Sequence, residues 1–269
     1  MHIDLNGKVA IVTGGARGIG QCIAMALASE GVKTVVIDIN EADLQESKQK
    51  FDELGYRGLH LCCDIRDAAQ IDEVVKQAVD EYGRIDILVN NAGVARGKPV
   101  DELTDEVWQQ NIDINLTGTF RMCRAVIPQM KLQQAGRIIN AASFAAVIPS
   151  YGGAAYASSK AGVHYLTRTL AGELGPWNIT VNSYAPGMIP TDMNHFADRT
   201  PEEQAQMLDM LSLRRWGKKE DIANLIVFLS SDQADYITGA LIEISGGKYA
   251  IQRPGVAYQH YVAQTTGSE

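Results

Sequence analysis

Short apolar runs alternate with longer amphipathic stretches from the N-terminus to about residue 245, and this rhythm constrains the fold more than any other feature of the chain. Strand, helix and strand in repetition are the signature of βαβ units and therefore of a parallel sheet. Seven strands are expected, near Val9 to Thr13, Thr34 to Asp38, Leu59 to Cys63, Ile85 to Asn90, Arg137 to Ala141, Thr180 to Tyr184 and Ala240 to Ile244. Several are continuous apolar runs, as strands covered on both faces require. The expected fold class is α/β: a single domain with a seven-stranded, doubly wound parallel sheet and helices on both faces. A chain of 269 residues, 46% hydrophobic and without a linker-like stretch, can bury one large core. The domain is expected over residues 1–247, followed by a tail over 248–269. An insertion at 187–216, carrying Pro190, Thr191, His195 and Pro201, follows the sixth strand, where active-site lids usually lie.

A formal net charge of -8 argues against a nucleic-acid surface, which needs clustered lysine and arginine. The N-terminus has no basic flank or apolar signal core, and no apolar run is long enough to cross a bilayer. A soluble, cytoplasmic protein with no membrane partner is therefore expected. Cys22, Cys62, Cys63 and Cys123 lack metal-site spacing, so no metal site is expected and the thiols are read as free and buried. Cys62 and Cys63 would point to opposite faces of a strand.

The first strand runs into Thr13-Gly14-Gly15-Ala16-Arg17-Gly18-Ile19-Gly20 and then a helix from Gln21 to Glu30. A glycine-rich turn at a helix N-terminus lets backbone amides approach a pyrophosphate, whose charge the helix dipole favours. Gly14 would allow the tight turn, Gly18 the approach of the pyrophosphate and Gly20 the packing of helix on strand. The second strand ends at Asp38, where a carboxylate would accept hydrogen bonds from the adenosine ribose and repel a 2'-phosphate. This favours NAD over NADP as cofactor, with Arg17 as a side chain that could still reach a phosphate.

Tyr156 and Lys160 stand four residues apart, so a helix puts a phenol and an ammonium on one face. A tyrosine loses its proton near pH ~10, and a cation within a few ångströms favours the phenolate. Such a phenolate could take the proton from an alcohol.

Together these residues resemble the short-chain dehydrogenase/reductase family. The resemblance runs from Leu5 to Gly247 and rests on Thr13-Gly14-x-x-x-Gly18-x-Gly20, Asp64-Ile65, Asn90-Asn91-Ala92-Gly93, Asn115, Ser143, Tyr156-x-x-x-Lys160 and Pro186-Gly187 in family order. It implies a single-domain Rossmann fold with the sheet order 3-2-1-4-5-6-7. It also implies that Asp64 and Ile65 hold the adenine, that Asn90 supports a strand end, and that Arg17, Ile19, Asn91, Ala92 and Gly93 complete the cofactor wall. Pro186, Gly187, Ile189 and Thr191 would contact the nicotinamide half. Tyr156 would be the acid/base and Lys160 would hold the nicotinamide ribose and lower the phenol's pKa. Ser143 would orient the substrate oxygen. Asn115 would sit at a helix irregularity with a water that links Lys160 to solvent. Read singly, Ser143 is equally a strand-end hydroxyl and Asn115 a mid-helix side chain. The family further implies a homotetramer.

The substrate is expected beyond the strand ends, bordered by Arg96, Ser143, Phe144, Ala145, Ile148, Ser150, Tyr151, Met188, Ile189 and His195. This mixed lining suits a small polar alcohol and its ketone, such as a sugar, polyol or hydroxy acid. The alternatives are a 3-oxoacyl-thioester reductase, an activity that the family pairs with NADPH, and a dinucleotide-binding regulatory protein without turnover. His164 is read as a packing residue, and Arg214, Arg215, Lys218 and Lys219 as a solvated helix start. In the tail, Tyr249, Ile251, Val256, Tyr258 and Tyr261 supply apolar surface for a subunit interface, Pro254-Gly255 a turn, and Thr265 to Glu269 a disordered end.

Overall fold

The computed structural model describes residues 3–191, 196–248 and 250–266. β1 (Val9–Thr13), β2 (Lys33–Asp38), β3 (Gly58–Cys62), β4 (Ile87–Asn90), β5 (Gly136–Ala141), β6 (Ile179–Pro186) and β7 (Leu241–Ile244) form one sheet in the order 3-2-1-4-5-6-7. Each neighbouring pair is parallel. Expected and observed strands agree to within two residues at each end; the first helix differs, starting at Gly18 rather than Gln21. Its first turn is the glycine turn itself.

The apolar runs read as strands because alternate residues serve two cores. From β1, Ala10 and Val12 enter a core with α1 (Gly18–Ser29) and α8 (Lys219–Ser230), whereas Ile11 enters the other. That second core is filled by α3 (Ala68–Tyr82), α5 (Thr119–Gln133) and α6 (Ala154–Leu174). α2 (Glu41–Glu53) starts at Asn40, whose side chain caps Ala42 and Asp43 amides at 3.0 and 3.2 Å. α7 (Pro201–Leu208) starts at a reciprocal Thr200 and Glu203 box. α4 (Asp105–Asn111) runs through a π-helical segment, Ile112–Gly118, into α5, which is the irregularity expected at Asn115.

Two local expectations change, one at the cysteines and one at the end of the tail. β3 stops at Cys62, so Cys63 lies beyond it; Cys62 is exposed and Cys22 half-buried, and only Cys63 and Cys123 are buried thiols. Pro254 and Gly255 make the expected turn, the Val256 amide donating to the Arg253 carbonyl at 3.2 Å, and the chain runs from it into a helix, α9 (Gly255–Thr266). Thr265 and Thr266 close that helix, and 267–269 lie outside the described residues, as do Tyr249 and His195. Arg215 pairs with Asp221 at 3.4 Å at the start of α8, as a solvated helix start should. Among the described residues no helix is long and apolar enough to cross a membrane, and no cluster could hold a metal.

Candidate active site

A cleft of about 490 Å³ opens along the C-terminal strand ends, where an open parallel sheet exposes its loops. Gly14 and Gly18 make its floor, with φ of 58° and 60°, a region glycine enters without penalty. A Cβ on Gly14 would stand 2.8 Å from the Ala92 Cα, so this turn needs glycine to fit against the next strand end. A Cβ on Gly20 would lie 2.0 Å from the Gly14 carbonyl oxygen, which explains the tight seat of α1 on the sheet. Gly18 differs: a Cβ there would meet nothing within 4 Å and would project into open space. The helix above it has no side-chain cap at Arg17, so its first amides face the cleft without a partner from a capping side chain. An uncapped N-terminus beside an open glycine fits a dinucleotide pyrophosphate.

Thr13 knits this floor to the next strand end, its hydroxyl accepting the Asn91 and Ala92 amides at 3.0 and 2.9 Å. The Asn91 side chain returns donors to the Thr13 and Gly14 carbonyls, and Tyr184 donates its hydroxyl to Asn91 at 3.1 Å. Asp38 lines the cleft at the end of β2, accepting the Ala16 amide at 3.4 Å and the Asn40 amide at 3.2 Å. The two guanidiniums at this end are both engaged. Arg17 lies 3.4 Å from Asp43, and Arg66 holds Asp64 through 2.6 and 3.0 Å contacts that keep the Asp64 carboxyl below its usual range. Ile19 and Ile65 supply apolar wall, and Gly93, Pro186 and Thr191 border the far half.

At that far half, Tyr156 and Lys160 both line the cleft from one face of α6. The Lys160 ammonium is directed at the end of β5. Its Nζ donates to the Ala141 carbonyl at 2.7 Å and stands 5.9 Å from the Tyr156 ring centroid. Burial pushes its ammonium down to about 8, and the same burial pushes the Tyr156 phenol up. The group that pulls the phenol back down is Ser143, through a side-chain hydrogen bond. The physical reason is that a buried ammonium takes the acceptor in reach, here the end of β5. Ser143 is also the cap of a short 3-10 turn, accepting the Ala145 amide at 3.1 Å. Asn115 stands behind this group, wholly buried, with its side chain accepting the Val94 amide at 2.8 Å and donating to the Val94 carbonyl at 2.9 Å. A Cβ on Gly93 would be 2.9 Å from the Asn115 Oδ1 and 3.3 Å from the Lys160 Nζ, so only glycine leaves these two groups side by side.

Other sequence-designated residues fall elsewhere. Gly187 presses on Ser245, 2.5 Å from where its Cβ would stand, and Ile189 is 3% exposed and packs into the first core. Met188 and Phe144 are buried, Ala145 follows in the 3-10 turn, and Tyr151 is exposed. Arg96 reaches the cleft mouth, donating to the neutral Gln110 at 2.9 Å. His164 meets Ser183 at 3.4 Å, as a packing residue does. The sequence motif contained Thr13 without giving it a role, and Tyr184 and Lys248 were not singled out in it. Lys248 follows the Gly246-Gly247 pair just past β7 and holds its Nζ 5.0 Å from the Phe144 ring centroid. A cation directly beyond the last strand end was the available signal.

The short chain dehydrogenase family model matches residues 8–202. The chain therefore belongs to the short-chain dehydrogenase/reductase family, whose members are oxidoreductases that use a nicotinamide cofactor. Among relatives, 3-oxoacyl-(acyl-carrier-protein) reductase FabG of Staphylococcus epidermidis is 40% identical over 248 residues, 90% of this chain and 99% of the relative. The FabG of Thermotoga maritima is 39% identical over 244 residues, with 90% and 98% covered. The solved structure of 7α-hydroxysteroid dehydrogenase, complexed with NADH and 7-oxo glycochenodeoxycholic acid, is 36% identical with a TM-score of 0.87, covering 91% of this chain and 95% of that one.

Proposed function

We propose that this oxidoreductase interconverts a secondary alcohol and its ketone with NAD(H), acting on a small polar substrate. Bound in the cleft, the nicotinamide supplies the site that accepts or returns hydride. Tyr156 exchanges the proton at the substrate oxygen, and Ser143, bonded to that phenol, holds the oxygen in place. Lys160 binds the nicotinamide ribose. On doing so it leaves the Ala141 carbonyl or shares itself with it, and its charge comes to favour the phenolate.

The observation that carries the NAD assignment is the end of β2. Asp38 presents a carboxylate to the cleft, the adjoining wall residue Ile39 is apolar, and Arg17 is held by Asp43. Among the described residues the two guanidiniums that line this end, Arg17 and Arg66, each already face a carboxylate. A structural relative solved with NADH supports the same choice. Arg96 at the cleft mouth and Lys248 above Phe144 bring positive charge to the substrate side, which favours a hydroxy acid within the polar class. We further propose a homotetramer as the working assembly, with the apolar residues of the tail at an interface between subunits.

A second reading, reduction of a 3-oxoacyl thioester, is favoured by the FabG relatives at about two-fifths identity. Absorbance at the reduced-nicotinamide band separates the two. The protein is given NAD or NADP with polyols, sugars, hydroxy acids and hydroxyacyl thioesters in turn. Turnover of a polar alcohol with NAD is the expected result. NADP-dependent turnover of the thioester alone would replace this reading with the second, and NADH binding without any turnover would favour a regulatory protein.

A further inference from the structure

We propose that Ser159 is a positioning residue for Tyr156, coupling the π-helical segment at Asn115 to the backbone that carries the phenol. The proposal rests on the assignment of Tyr156 as acid/base. Ser159 is wholly buried, and its hydroxyl donates to the Tyr156 carbonyl at 2.7 Å. The same hydroxyl accepts from the Asn115 Nδ2 at 2.9 Å. Asn115 uses its other hydrogen and its oxygen on the Val94 carbonyl and amide. Three segments thus close on one another: the loop after β4, the π-helical segment and the first turn of α6.

A serine that bonds back to a carbonyl three residues earlier is common in helices and by itself does little. The second bond makes the difference here. Through it the first turn of α6 gains a direct side-chain tie to a fully buried amide on another element. Tyr156 sits in that turn, two residues after the helix begins at Ala154. The turn has no side-chain cap at Gly153. Losing the Ser159 hydroxyl would strand an Asn115 N–H hydrogen in a buried site and release the turn to shift. Proton transfer is sensitive to such shifts, because the phenol must stay within hydrogen-bond reach of both Ser143 and the substrate oxygen.

The test is steady-state kinetics across pH on Ser159→Ala and Ser159→Cys, with NADH affinity by fluorescence titration and the thermal midpoint measured alongside. For Ser159→Ala we expect kcat to fall about tenfold or more, with KM and NADH affinity within about twofold of wild type and the pH midpoint of kcat displaced. Ser159→Cys, which keeps a weak donor and acceptor at similar volume, should recover part of the loss. Wild-type kcat with an unmoved pH midpoint in Ser159→Ala would overturn the proposal. So would equal losses in kcat, NADH affinity and thermal midpoint in both variants, which would mean general loosening. Turnover that survives in Tyr156→Phe would remove the acid/base assignment itself, whereas a dead Tyr156→Phe beside a normal Ser159→Ala would remove only the role of Ser159.

Discussion

The glycine-loop end of the cleft is made of strand ends and backbone, whereas the end proposed for the substrate is made of side chains carried on long connections. At the first end, Gly14 is seated against Ala92, Thr13 holds two amides and Asn91 bonds two carbonyls, so the wall is set by the sheet register itself. At the second, Arg96 and Lys248 come from the loop after β4 and the segment after β7, and Lys248 meets Phe144 across more than a hundred residues of chain. The contrast teaches that the glycine-loop wall is a property of the fold, and the far wall a property of the few side chains placed on it. Variants at the two ends should therefore fail differently.

The largest effect is expected at the junction of the two ends. Tyr156→Phe should lower kcat by roughly 10²- to 10⁴-fold while NADH binds as in wild type, measured by initial rates and by fluorescence titration. A variant that turns over normally would break the comparison at its centre, because the phenol would then belong to the wall alone.

Lys160 comes next, and its effect is on stability. Burial holds its ammonium down at about 8, so between that pH and the ordinary lysine range the unfolded chain keeps a proton that the folded chain has released. Folded stability gains from Lys160 as pH rises through this window and carries the full burial penalty below it. Relative to Lys160→Met, wild type should thus gain about 3 kcal/mol between neutral pH and pH ~11, read from urea midpoints across pH. A constant difference would mean that the ammonium is solvated in the folded protein.

Asp38→Ala sharpens the cofactor side. NAD affinity should fall about tenfold, from the loss of charge-assisted hydrogen bonds, and discrimination against NADP should relax. Unchanged selectivity would shift the preference from the carboxylate to Arg17, for all that Asp43 stands beside it.

The smallest effect on the fold itself belongs to the tail. A chain ended after Gly247 should keep its NADH affinity but lose oligomer mass and change its substrate KM, by light scattering and kinetics. Ile251, Val256 and Tyr261 stand 56%, 50% and 60% exposed on the isolated chain, which is the surface such an interface would cover. Unchanged mass and KM would leave the tail without a part in either end of the cleft.

Much of the cofactor end was legible in the sequence, since βαβ periodicity and a glycine turn are local signals that the backbone reads directly. The strands were placed to within two residues, and Gly14, Gly18 and Asp38 lie where their positions in the units require. Less was legible about charge. Four-residue spacing correctly put Tyr156 and Lys160 on one face of α6, but it could not say that the ammonium would turn to the Ala141 carbonyl, leaving Ser143 to act on the phenol. Nor could it show that Ile189 and Met188 turn into the core, because a loop's direction depends on what it packs against.

By itself the sequence determined the sheet, its parallel sense, the glycine turn and the set of groups that could do the chemistry, because these follow from periodicity and spacing along a few dozen residues at most. Tertiary structure alone decided which of those groups touch: Asn115 through Ser159 to Tyr156, Arg17 to Asp43, Lys248 to Phe144. Hydrogen bonds and charges act over a few ångströms, and which residues come that close is settled by packing between elements far apart in the chain.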